Sequence, residues 1–213
     1  MTAASPNERK SQKTSRYDVE GRYKALLNAG EQLLCASYDQ AQPKQVAELA
    51  GVSVGLFYKH FANKRELLTA VMIRRLGKLH QIIGTEIADQ ESPERSLQSI
   101  VEETLAYFLE YRGLLRLFFV EIGYGDVQSS RQLVDTRENY RHLLRAVLNR
   151  GIQEACFVSL TPTEVELTIS SITGTINWRL YELLVVEAKE VDLIVLRDEL
   201  VALFLRGLRR LQG

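Results

Sequence analysis

Between Ser53 and Lys64 the chain reads SVGLFYKHFANK, a run in which hydroxyls, an imidazole and two ammonium groups alternate with apolar side chains. That mixture suits a polyanion. Ser53 offers a hydroxyl and, at a helix start, free backbone N–H groups for a phosphate. Val54 and Leu56 can touch thymine methyls but make no hydrogen-bonded readout. Tyr58 and His60 are hydrogen-bonding rings suited to phosphate. Lys59 reaches phosphate or guanine, Lys64 adds a cation at the start of the next helix, and Lys44 faces the same backbone. No comparable set serves covalent or metal chemistry. The three histidines (His60, His80, His142) are scattered, and Cys35 and Cys156 have no CxxC spacing. Neither GxSxG, GxGxxG nor a Walker sequence occurs. Glu102 and Glu103 are adjacent, so on a helix they point about 100° apart rather than forming an acid pair. The sequence therefore predicts no enzyme, no metal and no cofactor, and the thiols read as free ones in a reducing cytoplasm.

Side chains that read DNA need a rigid mount. Residues 43–61, PKQVAELAGVSVGLFYKHF, predict two short helices, Pro43–Ala50 and Ser53–Phe61, around a turn at Gly51. Pro43 is tolerated at a first helical position, Gly51 suits a left-handed terminus, and Ser53 caps the second helix. Val46, Ala50, Val52 and Phe57 point inward, with Phe61 also in the core, and Ala47 is small where the helices cross. The second helix of such a unit enters the major groove with its N-terminal part against base edges.

Apolar spacing of three and four places further helices at Val19–Ala36, Asn63–Ala88, Pro93–Tyr111, Gly113–Gly123, Ser129–Cys156, Pro162–Glu187 and Val191–Leu211. Strand-period alternation is absent, so the expected fold is all-α with about nine helices. Asn63, Ser92-Pro93 and Thr161-Pro162 are helix-start signals.

The 213 residues carry 27 basic and 27 acidic side chains, unevenly placed. Residues 1–80 hold 13 basic and 7 acidic groups, whereas residues 81–213 hold 14 and 20. The positive part suits nucleic acid and the negative part would repel it. No apolar run reaches the roughly 18 residues of a membrane span, and the N-terminus has no apolar leader core, so a cytoplasmic location is expected. The expected organisation is a disordered basic tail at 1–16, a helix-turn-helix domain at 17–62 and an effector-binding and dimerisation domain at 63–213.

The stretches ALLNAGEQLL (25–34), SYD (37–39) and VAELAGVSVGLFYKHFANKRELLTAV (46–71) resemble the N-terminal domain of TetR-family transcriptional repressors. The resemblance implies a three-helix DNA-binding domain, a homodimer on double-stranded DNA and a C-terminal helical domain for a small-molecule effector. It puts the DNA contacts on Lys44, Ser53, Val54, Leu56, Tyr58, Lys59 and His60, with Lys64 as phosphate anchor. The chain departs from the family pattern at Ser37, where Gly is common, at Gln42-Pro43, where Ser or Thr precedes the second helix, and at Val54, often Lys. These changes lower the expected number of phosphate contacts without disturbing the fold.

Pockets in helical bundles are lined by apolar and aromatic groups with a few polar ones. The ligand-binding candidates are Tyr107, Phe108, Phe118, Phe119, Tyr124, Tyr140, Asn177, Trp178 and Tyr181. The segment ITGTINW resembles the corresponding helix of family members that sense fatty acyl-CoA. Apolar faces at Val165, Ile169, Ile172 and Ile176, and at Val195, Leu196 and Leu203, match helices that pair across the two-fold axis in that family. The expected function is a ligand-responsive repressor, bound to a palindromic operator as a dimer and released by an apolar or amphipathic effector. A helical adaptor would explain the amphipathic helices but leave the Ser53–Lys64 surface without a use.

Overall fold

The structure is a computed structural model that describes residues 6–36, 41–88, 92–113, 115, 119 and 131–209, with side chains from residue 19 onward. The described residues form eight α-helices, one π-helical turn and no strand beyond an isolated bridge between Phe157 and Arg209. They are α1 (Pro6–Ala36), α2 (Pro43–Leu49), α3 (Val54–His60), α4 (Lys64–Ala88), α5 (Pro93–Glu110), α6 (Arg131–Gln153), α7 (Pro162–Tyr181) and α8 (Leu193–Leu208). The π turn is Glu182–Val186. The chain divides into two compact units, Met1–Val71 and Met72–Gly213. Among the described residues no helix is long and apolar enough to cross a membrane.

In the N-terminal unit, α1 packs on α2 and α2 on α3. Leu26, Leu34, Val46, Ala47, Phe57, Phe61, Leu67 and Leu68 form the core. Gly30 is where α1 meets the start of α4, since a Cβ there would lie 2.7 Å from the Leu67 side chain. The helix reaches back to Pro6, over residues expected to be a disordered tail. Pro6 suits a first position, and Glu8, Arg9, Lys10, Gln12 and Lys13 are strong helix formers, so the charge that suggested disorder is compatible with a solvated helix.

In the C-terminal unit, α5 is central and packs on α6, α7 and α8. Its buried side chains Leu97, Ile100, Val101, Thr104, Leu105 and Phe108 fall at the spacing of one helical face. Several ends are fixed by side chains. Ser92 Oγ accepts from Arg95 N (3.3 Å) and Asp192 Oδ1 from Ile194 N (2.9 Å). At α7 the Glu164 carboxylate takes the Thr161 N–H (2.7 Å) while Thr161 Oγ1 accepts from Glu164 N (3.3 Å). This reciprocal pair satisfies two end groups at once, and it holds the Glu164 carboxyl below its usual range.

Two ends differ from expectation. α6 stops at Gln153 rather than Cys156, because Gly151 O receives both Cys156 N and Phe157 N and Ala155 turns left-handed with φ 57°. The buried Phe157 ring then covers Gly151 so closely that a Cβ there would overlap it. α7 ends at Tyr181, where the wider π turn replaces the expected continuation to Glu187. The expected helix 113–123 lies mostly outside the described residues.

Candidate nucleic-acid interface and ligand cavity

The turn between α2 and α3 is built as its sequence requires. Gly51 has φ +68°, in the left-handed region that glycine enters freely. Val52 N donates to Ala47 O (2.9 Å), and Ser53 Oγ caps α3 by accepting from Leu56 N (3.2 Å). Gln42 offers no hydroxyl, but its N–H donates to Gln45 Oε1 (3.1 Å), so a side chain one turn later does the capping. Val46, Ala47 and Phe57 are fully buried. Phe57 lies edge-on to Tyr58 (5.3 Å) and tilted against Phe61 (5.6 Å), and its complete burial fixes the rotation of α3.

That rotation leaves one face of α3 in solvent. Tyr58 is 55% exposed and Val54 39%. Ser53, Lys59 and Lys44 are exposed, and Leu56 and Lys64 are half-buried. Asn63 Oδ1 accepts from Glu66 N (3.0 Å), so α4 begins one residue after its cap. His60 sits less openly than expected. Its ring packs on Tyr23 (5.4 Å) and Phe61 (6.4 Å), and its Nε2 is enclosed with no partner among the described residues. Ala50 and Val52, expected inside, are half-buried at the turn.

The C-terminal unit holds a cavity of about 350 Å³. Leu76, Leu79 and His80 of α4, Thr104 and Phe108 of α5, and Asn177 of α7 line it together with three residues of α6, Arg137, Tyr140 and Arg141. Of the nine expected ligand contacts, Phe108, Tyr140 and Asn177 lie on its wall. Tyr107 is instead buried in the bundle, its hydroxyl donating to Arg75 O (2.8 Å), because a phenol in a core needs an acceptor. Phe119, Trp178 and Tyr181 make a separate aromatic cluster, with Phe119 and Tyr181 centroids 4.4 Å apart and Trp178 56% exposed. Phe118 and Tyr124 lie outside the described residues.

His80, Arg137 and Arg141 are the wall groups that sequence reading does not reveal. Tyr140 shares a hydrogen bond with Thr104 Oγ1 (3.0 Å), and burial pushes its phenol up to about 12. His80 lies against the Tyr140 ring (5.7 Å), and its Nδ1 is enclosed with no partner among the described residues. Burial lowers the imidazole to about 4, so it is neutral at pH 7. The folded chain therefore refuses this proton down to about pH 4, whereas an unfolded histidine takes it near 6.5. Acid favours the unfolded chain across that window. Urea denaturation at pH 7.5 and 4.5 should show wild type losing on the order of 2 kcal/mol more than His80→Gln, the ring being partly open to solvent. Equal losses in both proteins would mean the ring titrates normally.

Arg141 and Arg145 of α6 bind Glu166 of α7, at 2.6 and 2.7 Å. These pairs draw the Glu166 carboxyl down to about 2. Among the described residues no group of three or more His, Cys, Asp or Glu is placed to hold a metal.

Two family models match the chain. Residues 26–71 match "Bacterial regulatory proteins, tetR family", and residues 90–180 match "Tetracyclin repressor-like, C-terminal domain". No curated protein sequence is significantly similar to it. Among solved structures, the fatty acid degradation regulator FadR from Bacillus halodurans is 23% identical, with a TM-score of 0.75 over 88% of this chain and 100% of that one. FadR from Bacillus subtilis, in complex with stearoyl-CoA, is 20% identical, with a TM-score of 0.76 over 87% and 98%. The TetR-family regulator PfmR from Thermus thermophilus is 21% identical, with a TM-score of 0.68 over 87% and 99%. At these identities the structural likeness establishes the fold.

Proposed function

The chain belongs to the TetR family of DNA-binding transcription regulators, and from that premise we propose that it is a repressor that binds a palindromic operator as a homodimer and leaves it when a small amphipathic effector binds. The observation that carries this reading is the solvent face of α3, where Ser53, Val54, Tyr58 and Lys59 stand on a helix pinned from behind by Phe57. Val54, Leu56 and Tyr58 read the groove, while Lys44, Ser53, Lys59 and Lys64 hold phosphates. One seven-residue helix reads few bases. Two copies about one DNA turn apart, roughly 34–36 Å, read a useful site.

The second copy has a surface to meet. Leu167 of α7 and Ile194, Val195 and Leu203 of α8 are large apolar side chains between 48% and 62% exposed. Leu167 and Leu203 flank a groove floored by Ile172, Phe204 and Leu208. The groove also carries Glu164, Thr168 and Ser171, and an apolar floor edged by polar groups of this kind supports a protein interface here.

The effector reading rests on the cavity and on the fatty-acid regulators this chain resembles, one of them holding stearoyl-CoA. A long-chain acyl group fits the apolar wall of Leu76, Leu79 and Phe108. α4 begins in the N-terminal unit and lines the cavity with Leu76, Leu79 and His80 in the other, so it is the element through which occupancy reaches the DNA-binding end. The ligand shifts the population only as far as its affinities for the two states differ; coupling of about 1–3 kcal/mol changes DNA affinity roughly 5–150-fold.

Selection of bound duplexes from a random pool tests this reading. A two-fold symmetric site should emerge, and stearoyl-CoA or stearate should release it. Recovery of asymmetric or random duplexes would overturn the operator reading.

A further inference from the structure

A cavity selects by the hydrogen-bonding capacity that its wall has left over. Here the guanidinium groups are already engaged. Arg141 is held by Glu166 (2.6 Å) and Ser170 (3.2 Å), and Arg137 likewise has a partner. What remains is a set of uncharged groups on α4, α5, α6 and α7.

The hydroxyls of that set have spent their protons. Thr104 gives its one proton to Ile100 O (2.7 Å), so in the 3.0 Å contact with Tyr140 its Oγ1 accepts and the phenol donates. Thr173 gives its proton to Ile169 O (2.8 Å). Tyr140 and Thr173 therefore meet the cavity as acceptors.

His80 supplies the opposite polarity. Its Nδ1 is enclosed with no partner among the described residues, and a bare lone pair is cheaper to enclose than an N–H. The proton of the neutral ring accordingly sits on Nε2, and His80 lines the cavity as a donor. Its ring lies against that of Tyr140, with centroids 5.7 Å apart, so a donor and an acceptor are neighbours on one stretch of wall.

A ligand group that uses both must accept and donate through one small atom. A hydroxyl does so. A carboxylate or a carbonyl only accepts, and beside the Tyr140 oxygen it sets lone pair against lone pair; an ammonium only donates.

Resting on the reading of a ligand-responsive regulator, we propose that this cavity recognises a hydroxyl carried on an apolar chain, its oxygen accepting from His80 and donating to Tyr140 while the chain lies along Leu76, Leu79 and Phe108. The hydroxyl adds to the acyl-chain reading: a plain acyl-CoA still fills the apolar wall, and a hydroxylated one binds more tightly.

Titration calorimetry of the full-length chain at pH 7.5 with 1-octanol, its isomer heptyl methyl ether, and octanoate tests this. The two isomers share their atoms and differ in the hydroxyl proton. 1-Octanol should bind about tenfold or more tightly than the ether, and more tightly than octanoate. Tyr140→Phe keeps the ring, and should bring the alcohol to within about threefold of the ether while leaving the ether within about twofold of its wild-type affinity. If that variant fails to fold, the ratio between isomers in the unaltered protein still decides. Equal binding of the isomers, binding of neither, octanoate as the tightest ligand, or a full alcohol preference in Tyr140→Phe would overturn the proposal. Operator affinity, measured in parallel by fluorescence anisotropy, separates the two readings. Tight 1-octanol binding that leaves the DNA complex intact would sink the regulatory switch while the hydroxyl site stands.

Discussion

Replacing Phe57 by Ala should destabilise the N-terminal unit by about 3–5 kcal/mol. The ring is fully buried and contacts Tyr58 and Phe61, so its loss leaves a cavity between α3 and the rest of the helix-turn-helix core. Whole domains are stable by only about 5–15 kcal/mol, so much of the unit's margin would go. Chemical denaturation followed by circular dichroism should show an early transition that wild type lacks, and DNA binding should vanish at temperatures where the remaining helices persist. A loss below about 1 kcal/mol would mean that α3 is held by something other than this ring. Tyr58→Ala removes a ring from the solvent side, and should cost far less stability while changing which DNA sequences are preferred.

The second large effect is electrostatic. Lys59 is exposed on α3 and Lys64 opens α4, and neither is needed to bury the core. On the proposed reading, changing both to Gln would remove four phosphate contacts from a dimer. The slope of log affinity against log salt should fall by between roughly three and four, and affinity at about 0.1 M salt by on the order of 10³-fold. The loss should be similar for specific and scrambled duplexes, since phosphate contacts carry no sequence information. An unchanged slope in filter-binding or anisotropy titrations would remove these lysines from the interface. Leu56→Ala is the contrasting variant, expected to shift base preference and leave the slope alone.

How far the sequence anticipates these features depends on the range of the interactions. Caps are local, and Ser53, Asn63, Ser92 and Thr161 all accept the hydrogen bonds that their residue types suggest. Gly51 is left-handed for the same local reason. The start of α1 is not legible, because composition alone does not separate a charged tail from a charged helix. The end of α6 is hidden too, since it depends on Phe157 folding back over Gly151, a contact between non-neighbouring residues. The cavity is only partly readable. Phe108, Tyr140 and Asn177 stand out by type, but Arg137 and Arg141 read as solvent-facing cations, as arginines usually are. Trp178 misleads in the opposite way, its size suggesting burial where the fold leaves it exposed. The rotation of each helix about its axis decides such cases, and packing sets that rotation.

The wide turn at Glu182–Val186 carries a consequence of its own. Glu187 N reaches back five residues to Glu182 O (2.8 Å), so this stretch accommodates one residue more than an α-helical turn. The helix does not resume beyond it: Ala188 turns left-handed (φ 49°) and the next helix begins only at Leu193, so the wide turn serves as the terminus of the α7 rod, loosening its last carbonyls before the chain reverses into α8.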